Sequence, residues 1–189
     1  YRYRLRVVAS DISRNRLLVL PQDIVQYGVR PDELSVARAV RMSMSIPFFY
    51  EPVKLHHAAS KQTSYVVDGG LLSNFPVWLF DSDTPPEWPT FGFKLVEPET
   101  AEGVPNQIKG PISMLGALVS TMTQAHDARY IKDADFDRTV AIPTLGVGTT
   151  EFDLSRERSD ALFDSGRAAA RKCFAGWDFP AHVRRYRSA

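Results

Sequence analysis

The 189-residue sequence is 44% hydrophobic and 24% charged, a composition typical of one soluble globular domain and unlike that of disordered or fibrous chains. Its 23 Lys and Arg nearly balance its 22 Asp and Glu, with no block of like charges, which argues against nucleic acid as a partner. No apolar run approaches the roughly 20 residues that a membrane-spanning helix needs.

The first half of the chain is predicted to contain three strands and one helix. Residues 1–10 alternate apolar and basic side chains, as a half-buried strand does, and residues 17–20 form a second strand that Pro21 closes. Residues 35–44 carry apolar side chains at helical spacing until Pro47 forbids continuation. After a loop over 47–63, the β-branched and aromatic residues 65–67 predict a short buried strand.

The second half is predicted to add two strands, at 90–96 and 138–142, and two helices, at 112 to about 132 and at 159–174. Alternating strands and helices favour a layered α/β fold over a sandwich or a bundle. No linker divides the chain, and the sequence opens inside a strand. We therefore expect residues 1–189 to be the later part of one domain.

The segment SYVVDGGLLSNFPV places one carboxylate, Asp68, at the carboxyl end of a predicted strand and directly before two glycines. In α/β sheets, ligands bind in the crevice beyond the strand ends. The glycines would permit positive φ and a close approach of the backbone. Asp-Gly is equally a common turn dipeptide. The segment by itself therefore leaves two alternatives, a turn and a catalytic carboxylate.

The sequence does not indicate a metal site. His56 and His57 are adjacent, so on an extended chain they point to opposite faces and cannot share a metal. Asp133, Asp135 and Asp137 begin like a calcium loop, but the glycine and glutamate that complete such a loop are missing. A solvated helix end is the prediction for these three acids.

A complete nucleophilic triad is not indicated either. The sequence contains no G-x-S-x-G, so none of its serines lies on the strained elbow that exposes an activated hydroxyl. His126 and His182 are predicted to be solvated or core histidines. Ser43 and Ser45 alternate with methionines, which suggests packing. If Asp68 is catalytic, its partner lies outside this chain.

Three ordered segments, LRVVASDISRNRLLVLPQDI, SVARAVRMSMSIPFFYEPV and YVVDGGLLSNFPV, resemble the second half of bacterial patatin-like phospholipases. The later GVGTTEFDLSRERSDALFDSGRAAARKCF is similar to the closing segment of that family. The resemblance is collinear from about Leu5 to about Phe174, which makes it more specific than any one motif. It implies a layered α/β/α patatin-type fold with a central sheet, here lacking its N-terminal part.

The resemblance implies a lipid acyl hydrolase, of the phospholipase A or carboxylic ester hydrolase type, that uses a Ser-Asp dyad without metal or cofactor in lipid catabolism. In the family, the serine lies in G-x-S-x-G and a glycine-rich loop forms the oxyanion hole, both early in the domain. Asp68, Gly69 and Gly70 match the D-G-G/A motif of the family, and Asp68 is the one catalytic residue that can be assigned. This chain alone is therefore predicted to be inactive.

The partners that follow from the resemblance are a phospholipid or other acyl-ester lipid, a membrane surface, and the N-terminal segment that carries the serine. An inactive lipid-binding or interaction domain derived from the same fold is the alternative. The location stays open, with the single cysteine, Cys173, slightly favouring a reducing cytoplasm.

The remaining candidate residues would support the carboxylate or the substrate. A base near neutral pH needs a pKa above the ordinary value of aspartate, and the apolar neighbours of Asp68 are expected to supply the burial that raises it. These neighbours are Val66, Val67, Leu71 and Leu72. Asn74 and Pro76 belong to the same family motif and are expected to fix the loop. Phe48, Phe49 and Tyr50 are candidates for an acyl-chain pocket, with core packing as the alternative for at least two of them.

Overall fold

The computed structural model describes residues 3–81, 84, 86–96, 108, 110, 113–115, 117–118, 121, 133–148 and 151–186. The chain divides into two compact units, one formed by Tyr1–Pro76 with Gln107–Tyr130 and the other by Val77–Asn106 with Ile131–Ala189. Each unit has its own β-sheet. That all 189 residues belong to one domain stays a prediction.

The first unit contains a four-stranded sheet in the order β2-β1-β4-β3, in which every neighbouring pair is antiparallel. Its strands are β1 (Val7–Asp11), β2 (Arg16–Leu20), β3 (Val53–His56) and β4 (Thr63–Asp68). Three of the four strands match predicted ones. β1 begins later than the predicted strand over 1–10, since its pairing with β2 starts at Val7.

The strand β3 corrects the prediction of a continuous loop over 47–63. Its sequence VKLH alternates apolar and polar side chains, but four residues are too few for that alternation to stand out from a loop. The strand forms because it pairs with β4 along its whole length, from Val53 opposite Val66 to His56 opposite Thr63.

One helix, α1 (Val36–Ser43), packs against β1 and β4 and agrees with the helix predicted at 35–44 to within one residue at each end. The hydroxyl of Ser35 caps it by accepting the N–H of Arg38 at 3.2 Å. Its buried residues Ala39 and Met42 join the core of the unit. The other core residues are Ala9, Leu18, Leu20, Ile24, Tyr27, Leu55 and Val66.

The second unit contains the parallel strands β5 (Gly92–Val96) and β6 (Thr139–Pro143) and the helices α2 (Asp133–Asp137), α3 (Arg156–Phe174) and α4 (Phe179–Tyr186). The predictions of β5, β6 and α3 are confirmed with shifted ends, whereas α4 was not predicted. The helix α3 packs on β6, where the Ser165 hydroxyl donates to the carbonyl of Pro143 at 2.9 Å. None of the described helices is long and apolar enough to cross a membrane.

Most of the helix predicted at 112 to about 132 lies outside the described residues, although positions 113–115, 117–118 and 121 are helical. The described strands and helices together have the predicted mixed α/β architecture.

Asp135 is not part of a solvated helix end, as the acidic spacing predicted. It accepts a hydrogen bond at 2.6 Å from the guanidinium of Arg138, whose side chain is buried. The same guanidinium bonds both carboxylate oxygens of Asp81, at 2.6 and 2.9 Å. A buried arginine needs such partners to offset its lost hydration, so this acid stabilises the second unit.

Asp137 is paired as well, because one of its carboxylate oxygens lies 2.5 Å from Nδ1 of the buried His182. His182 is therefore a core histidine, one of the two options that the sequence predicted. His126 and the side chain of Asp133 lie outside the described residues.

Gly166 lies inside α3, where glycine is a poor helix former. A Cβ at this position would lie 3.8 Å from Cγ2 of Ile142, an ordinary contact. We expect Gly166→Ala to raise the free energy of unfolding by about 0.5–1 kcal/mol in urea denaturation. The reverse change at an exposed position of the same helix, Ala168→Gly, should lower it by a similar amount. A lower stability for Gly166→Ala would contradict the packing of α3.

Candidate active site

Asp68 is the last residue of β4, and the chain leaves the sheet directly after it. Both described neighbours of β4 run antiparallel to it, so Asp68 does not lie at the carboxyl edge of parallel strands. Backbone contacts set the position instead. Asp68 pairs with Ala9 of β1, and its N–H donates to the carbonyl oxygen of Ser45 at 2.9 Å.

The carboxylate of Asp68 closes the 3-10 turn Gly69–Leu71 that follows it. Its Oδ1 accepts the N–H of Gly70 at 2.7 Å. Within the described part of the chain, Gly70 is the one residue that donates a hydrogen bond to this carboxylate. Asp68 can therefore both close a turn and act as a base, because Oδ1 accepts the hydrogen bond of the turn and Oδ2 remains for a reacting group.

Burial raises the pKa of the Asp68 carboxyl above its ordinary 3.8, because the ionised form loses hydration, and the N–H donor of the turn lowers it by a smaller amount. The predicted apolar surroundings are present. Val66 and Val67 are buried, and Leu71 and Leu72 are half-buried. A raised pKa brings the carboxylate nearer to the proton affinity that a general base needs.

The glycines of this turn are required for space, which confirms the expected close approach of the backbone, whereas the expectation of positive φ is wrong. Neither Gly69 nor Gly70 lies in the left-handed region. A Cβ on Gly69 would lie 2.4 Å from the carbonyl oxygen of Val8, inside any permitted contact. A Cβ on Gly70 would lie 3.0 Å from Oδ1 of Asp68 and of Asn74. The motif thus lets the turn lie directly on β1 and against the carboxylate.

Backbone hydrogen bonds fix the start of the loop that follows the turn. The N–H groups of Leu72 and Ser73 donate to the carbonyl of Gly69 at 3.1 and 2.9 Å. Asn74 is exposed, with Oδ1 close to Gly70, and Pro76 is half-buried. That Asn74 and Pro76 support the loop stays a prediction.

The three aromatic residues after α1 do not all pack in the core. Phe48 and Phe49 are exposed, at 62% and 51%, and Tyr50 is half-buried. Phe49 contacts Tyr50 edge to face, with ring centroids 5.2 Å apart, and the guanidinium of Arg41 lies 5.7 Å from the centre of the Tyr50 ring. Two large apolar side chains in the same loop are thus presented to the solvent.

The buried carboxylate of Asp11, at the end of β1, has a structural explanation. It accepts hydrogen bonds from the Tyr27 hydroxyl at 2.6 Å and from the N–H groups of Ser13 and Arg14 at 2.9 and 3.2 Å. Burial and the bond to Asp11 raise the pKa of Tyr27. These bonds fix the β1–β2 hairpin, and they leave the carboxylate well supplied with donors.

The adjacent histidines His56 and His57 have separate surroundings. His56 is exposed, with Nδ1 3.3 Å from the Thr63 hydroxyl, whereas the His57 ring contacts Tyr27 edge-on at 5.9 Å. Over the described residues, no three His, Cys, Asp or Glu side chains lie close enough together to hold a metal ion.

Because Asp68 is half-buried with a raised pKa, its ionised form is disfavoured in the folded state; this penalty is present above the pKa of the folded state and is lost as the pH falls below 3.8. Asn keeps an oxygen for the Gly70 N–H and carries no charge. We therefore expect Asp68→Asn to raise the free energy of unfolding at pH 7 and to lose this advantage near pH 3. Urea denaturation at both pH values tests this, with Asp160→Asn on the exposed face of α3 as the control. Lower stability of Asp68→Asn at pH 7 would contradict it.

The part of the chain that matches a known family includes Asp68. Residues 6–81 match the family model for patatin-like phospholipase. This part of the chain is similar to patatin-like phospholipases. The match runs from β1 to Asp81, so it contains Asp68, the glycine turn and the loop through Pro76. The mixed α/β architecture is consistent with a patatin-type fold, and the family is one of lipid hydrolases.

Two curated proteins are similar in sequence. An uncharacterized protein of Bacillus subtilis, YqhO, is 39% identical over 175 residues, which cover 93% of this chain and 58% of the Bacillus protein. The RpoH suppressor of Rhizobium meliloti is 57% identical over 35 residues, which cover 18% of this chain and 5% of that protein. The chain thus spans little more than half of the length of the Bacillus relative.

Proposed function

We propose that Asp68 is the general base of a Ser-Asp dyad that hydrolyses acyl esters of lipids, and that the serine belongs to a segment outside these 189 residues. The observation that carries the proposal is the half-buried Asp68 carboxylate at the end of β4, with one oxygen in the turn and a raised pKa. The family match over residues 6–81 supports lipids as the substrate class. We call this chain together with that serine-bearing segment the intact protein.

The acylation step needs a base because a serine hydroxyl is a poor nucleophile while it keeps its proton. Asp68 accepts that proton as the serine oxygen attacks the ester carbonyl carbon. The resulting oxyanion is held by backbone N–H groups of the serine-bearing segment. When the C–O bond to the alcohol breaks, Asp68 returns the proton to the leaving alcohol, and the acyl group stays on the serine.

The deacylation step reverses these roles with water as the nucleophile. Asp68 accepts a proton from water as it attacks the acyl carbonyl, and the proton then passes to the serine oxygen as the fatty acid departs. Because one carboxylate does both transfers, it must be ionised at the start of each step. Partial burial favours both proton transfers to Asp68, because it raises the pKa of the carboxyl and a stronger base accepts a proton more readily.

The exposed Phe48 and Phe49 are proposed to contact the acyl chain. They follow Ser45, whose carbonyl bonds the backbone of Asp68, by only a few residues, so their loop begins at the candidate base. Apolar walls are what a fatty chain requires. Tyr50, under Arg41, is proposed to support this loop rather than to meet the lipid.

A second candidate function is a lipid-binding or interaction domain without catalysis. The absence of G-x-S-x-G from the 189 residues favours it, because these residues supply no elbow serine.

Labelling of the intact protein with a serine-reactive fluorophosphonate, followed by hydrolysis of a short-chain p-nitrophenyl ester, separates the two functions. The hydrolase predicts stoichiometric labelling that abolishes ester hydrolysis. Binding to phospholipid vesicles without labelling or hydrolysis would reject the dyad and support the binding domain.

A further inference from the structure

The segment just after α1 bonds to β4 on the side where pairing with β3 has ended. Pairing between β3 and β4 stops at Val53, which lies opposite Val66, two residues before Asp68. The next N–H on that side, from Asp68, donates to the carbonyl oxygen of Ser45 at 2.9 Å. On this side, where β3 no longer pairs with β4, the backbone of the candidate base is therefore bonded to Ser45, while β1 pairs with it on the other side.

Ser45 is itself fixed by its side chain. It is fully buried, and its hydroxyl donates to the carbonyl oxygen of Arg41, one helical turn earlier, at 2.6 Å. The same hydroxyl accepts a hydrogen bond from Nη1 of Arg41. Both bonds restrain the peptide group whose oxygen holds Asp68.

Arg41 extends this restraint to the following loop. Its Nη2 donates to the carbonyl of Glu51 at 2.9 Å, and its guanidinium lies over the ring of Tyr50. One side chain thus joins the start of the loop, at Ser45, to its end, just before β3. A guanidinium suits this task because its planar fork can bond two oxygens at once.

We propose that Arg41 and Ser45 are positioning residues for Asp68: through the Ser45 carbonyl they fix the backbone that carries the carboxylate. This inference rests on the proposed function of Asp68 as the base. Neither side chain needs to touch the substrate. Their effect is on alignment, and a shift of about 1 Å at a reacting group can cost about 100-fold in rate.

Ser45→Ala in the intact protein tests the inference, with Ser43→Ala two residues earlier in α1 as the matched control. We expect Ser45→Ala to lower kcat for a p-nitrophenyl ester by roughly 10- to 100-fold with little change in KM. The acid limb of the pH profile should also move towards pH 3.8, since a less restrained carboxylate is better hydrated. Ser43→Ala should change neither property.

The pair is expected to act as a unit. Arg41→Ala should lower kcat to a similar extent, and the double variant should lose little more than either single one, because each change breaks the same Arg41–Ser45 contact. Arg38→Ala, at an exposed position one turn earlier, is the control for lost charge on α1. Additive losses in the double variant would overturn the joint role.

A purely structural role predicts another outcome. If Ser45→Ala lowers the melting temperature while kcat and the acid limb match those of Ser43→Ala, the inference is overturned. If the wild-type intact protein does not hydrolyse esters, the proposed function fails instead. The pair is then judged by the ¹³C titration of the Asp68 carboxyl: a lower midpoint in Ser45→Ala than in Ser43→Ala supports positioning, and equal midpoints reject it.

Discussion

Asp68→Asn in the intact protein is expected to lower kcat/KM for a short-chain ester by about 10²- to 10⁴-fold, the range that a positioned general base contributes. The amide has nearly the same shape as the carboxylate and can still accept the Gly70 N–H through its oxygen. It cannot accept a proton from serine at neutral pH. The loss should therefore arise in kcat, with the fold retained.

The control for this variant is Asp160→Asn, which removes an equal charge from the exposed face of α3. It should leave ester hydrolysis unchanged. Circular dichroism and the melting temperature check that Asp68→Asn is folded, and its stability at pH 7 should match or exceed that of the wild type. Wild-type turnover by a folded Asp68→Asn protein would reject the dyad.

Gly69→Ala is expected to disrupt the first unit. The new Cβ would lie 2.4 Å from the carbonyl oxygen of Val8 and 2.6 Å from its carbonyl carbon. These are backbone atoms of β1, a strand that pairs with β2 on one side and β4 on the other, so they cannot move without breaking both pairings. We expect a loss of about 3 kcal/mol or more in the free energy of unfolding, measured by urea denaturation.

Alanine substitutions at two other glycines serve as comparisons for the stability of Gly69→Ala. Gly148→Ala places its Cβ in open space and should stay within about 1 kcal/mol of the wild type. Gly70→Ala should fall between them, because its closest neighbours are side-chain oxygens of Asp68 and Asn74 at 3.0 Å, which can give way. If Gly69→Ala is as stable as Gly148→Ala, the turn does not lie on β1 as described.

The elements that could be predicted from the sequence are those with a strong local pattern. The β-branched run before Asp68 and the amphipathic stretch after Ser35 appear as β4 and α1, because a clear pattern and a clear stop coincide in each. The strand β3 was missed because its pairing with β4, rather than its four residues, makes it a strand. The start of α3 lies before its predicted first residue, since Ser155 caps a polar first turn that has no apolar periodicity.

In the candidate site, too, the features with a local sequence pattern could be predicted, and those set by contacts with distant segments could not. Apolar neighbours in sequence were enough to predict the raised pKa of Asp68, because burial is its main cause. The close approach of the backbone at Gly69 could be predicted, but the segment it approaches could not, since the contact with Val8 depends on the path of another strand. The role of Ser45 left no sequence signal for the same reason: its backbone carbonyl, common to every residue type, makes the contact with Asp68.

The measurement that tests the central claim most directly compares two titrations of the intact protein, the pH dependence of kcat/KM for ester hydrolysis and the ¹³C titration of the Asp68 carboxyl. If Asp68 is the base, hydrolysis must fall as the pH drops through its pKa, because the protonated carboxyl cannot accept a proton from serine. We predict one common midpoint that lies above 3.8. An Asp68 carboxyl that titrates at a different pH from the acid limb of hydrolysis would contradict its role as the base.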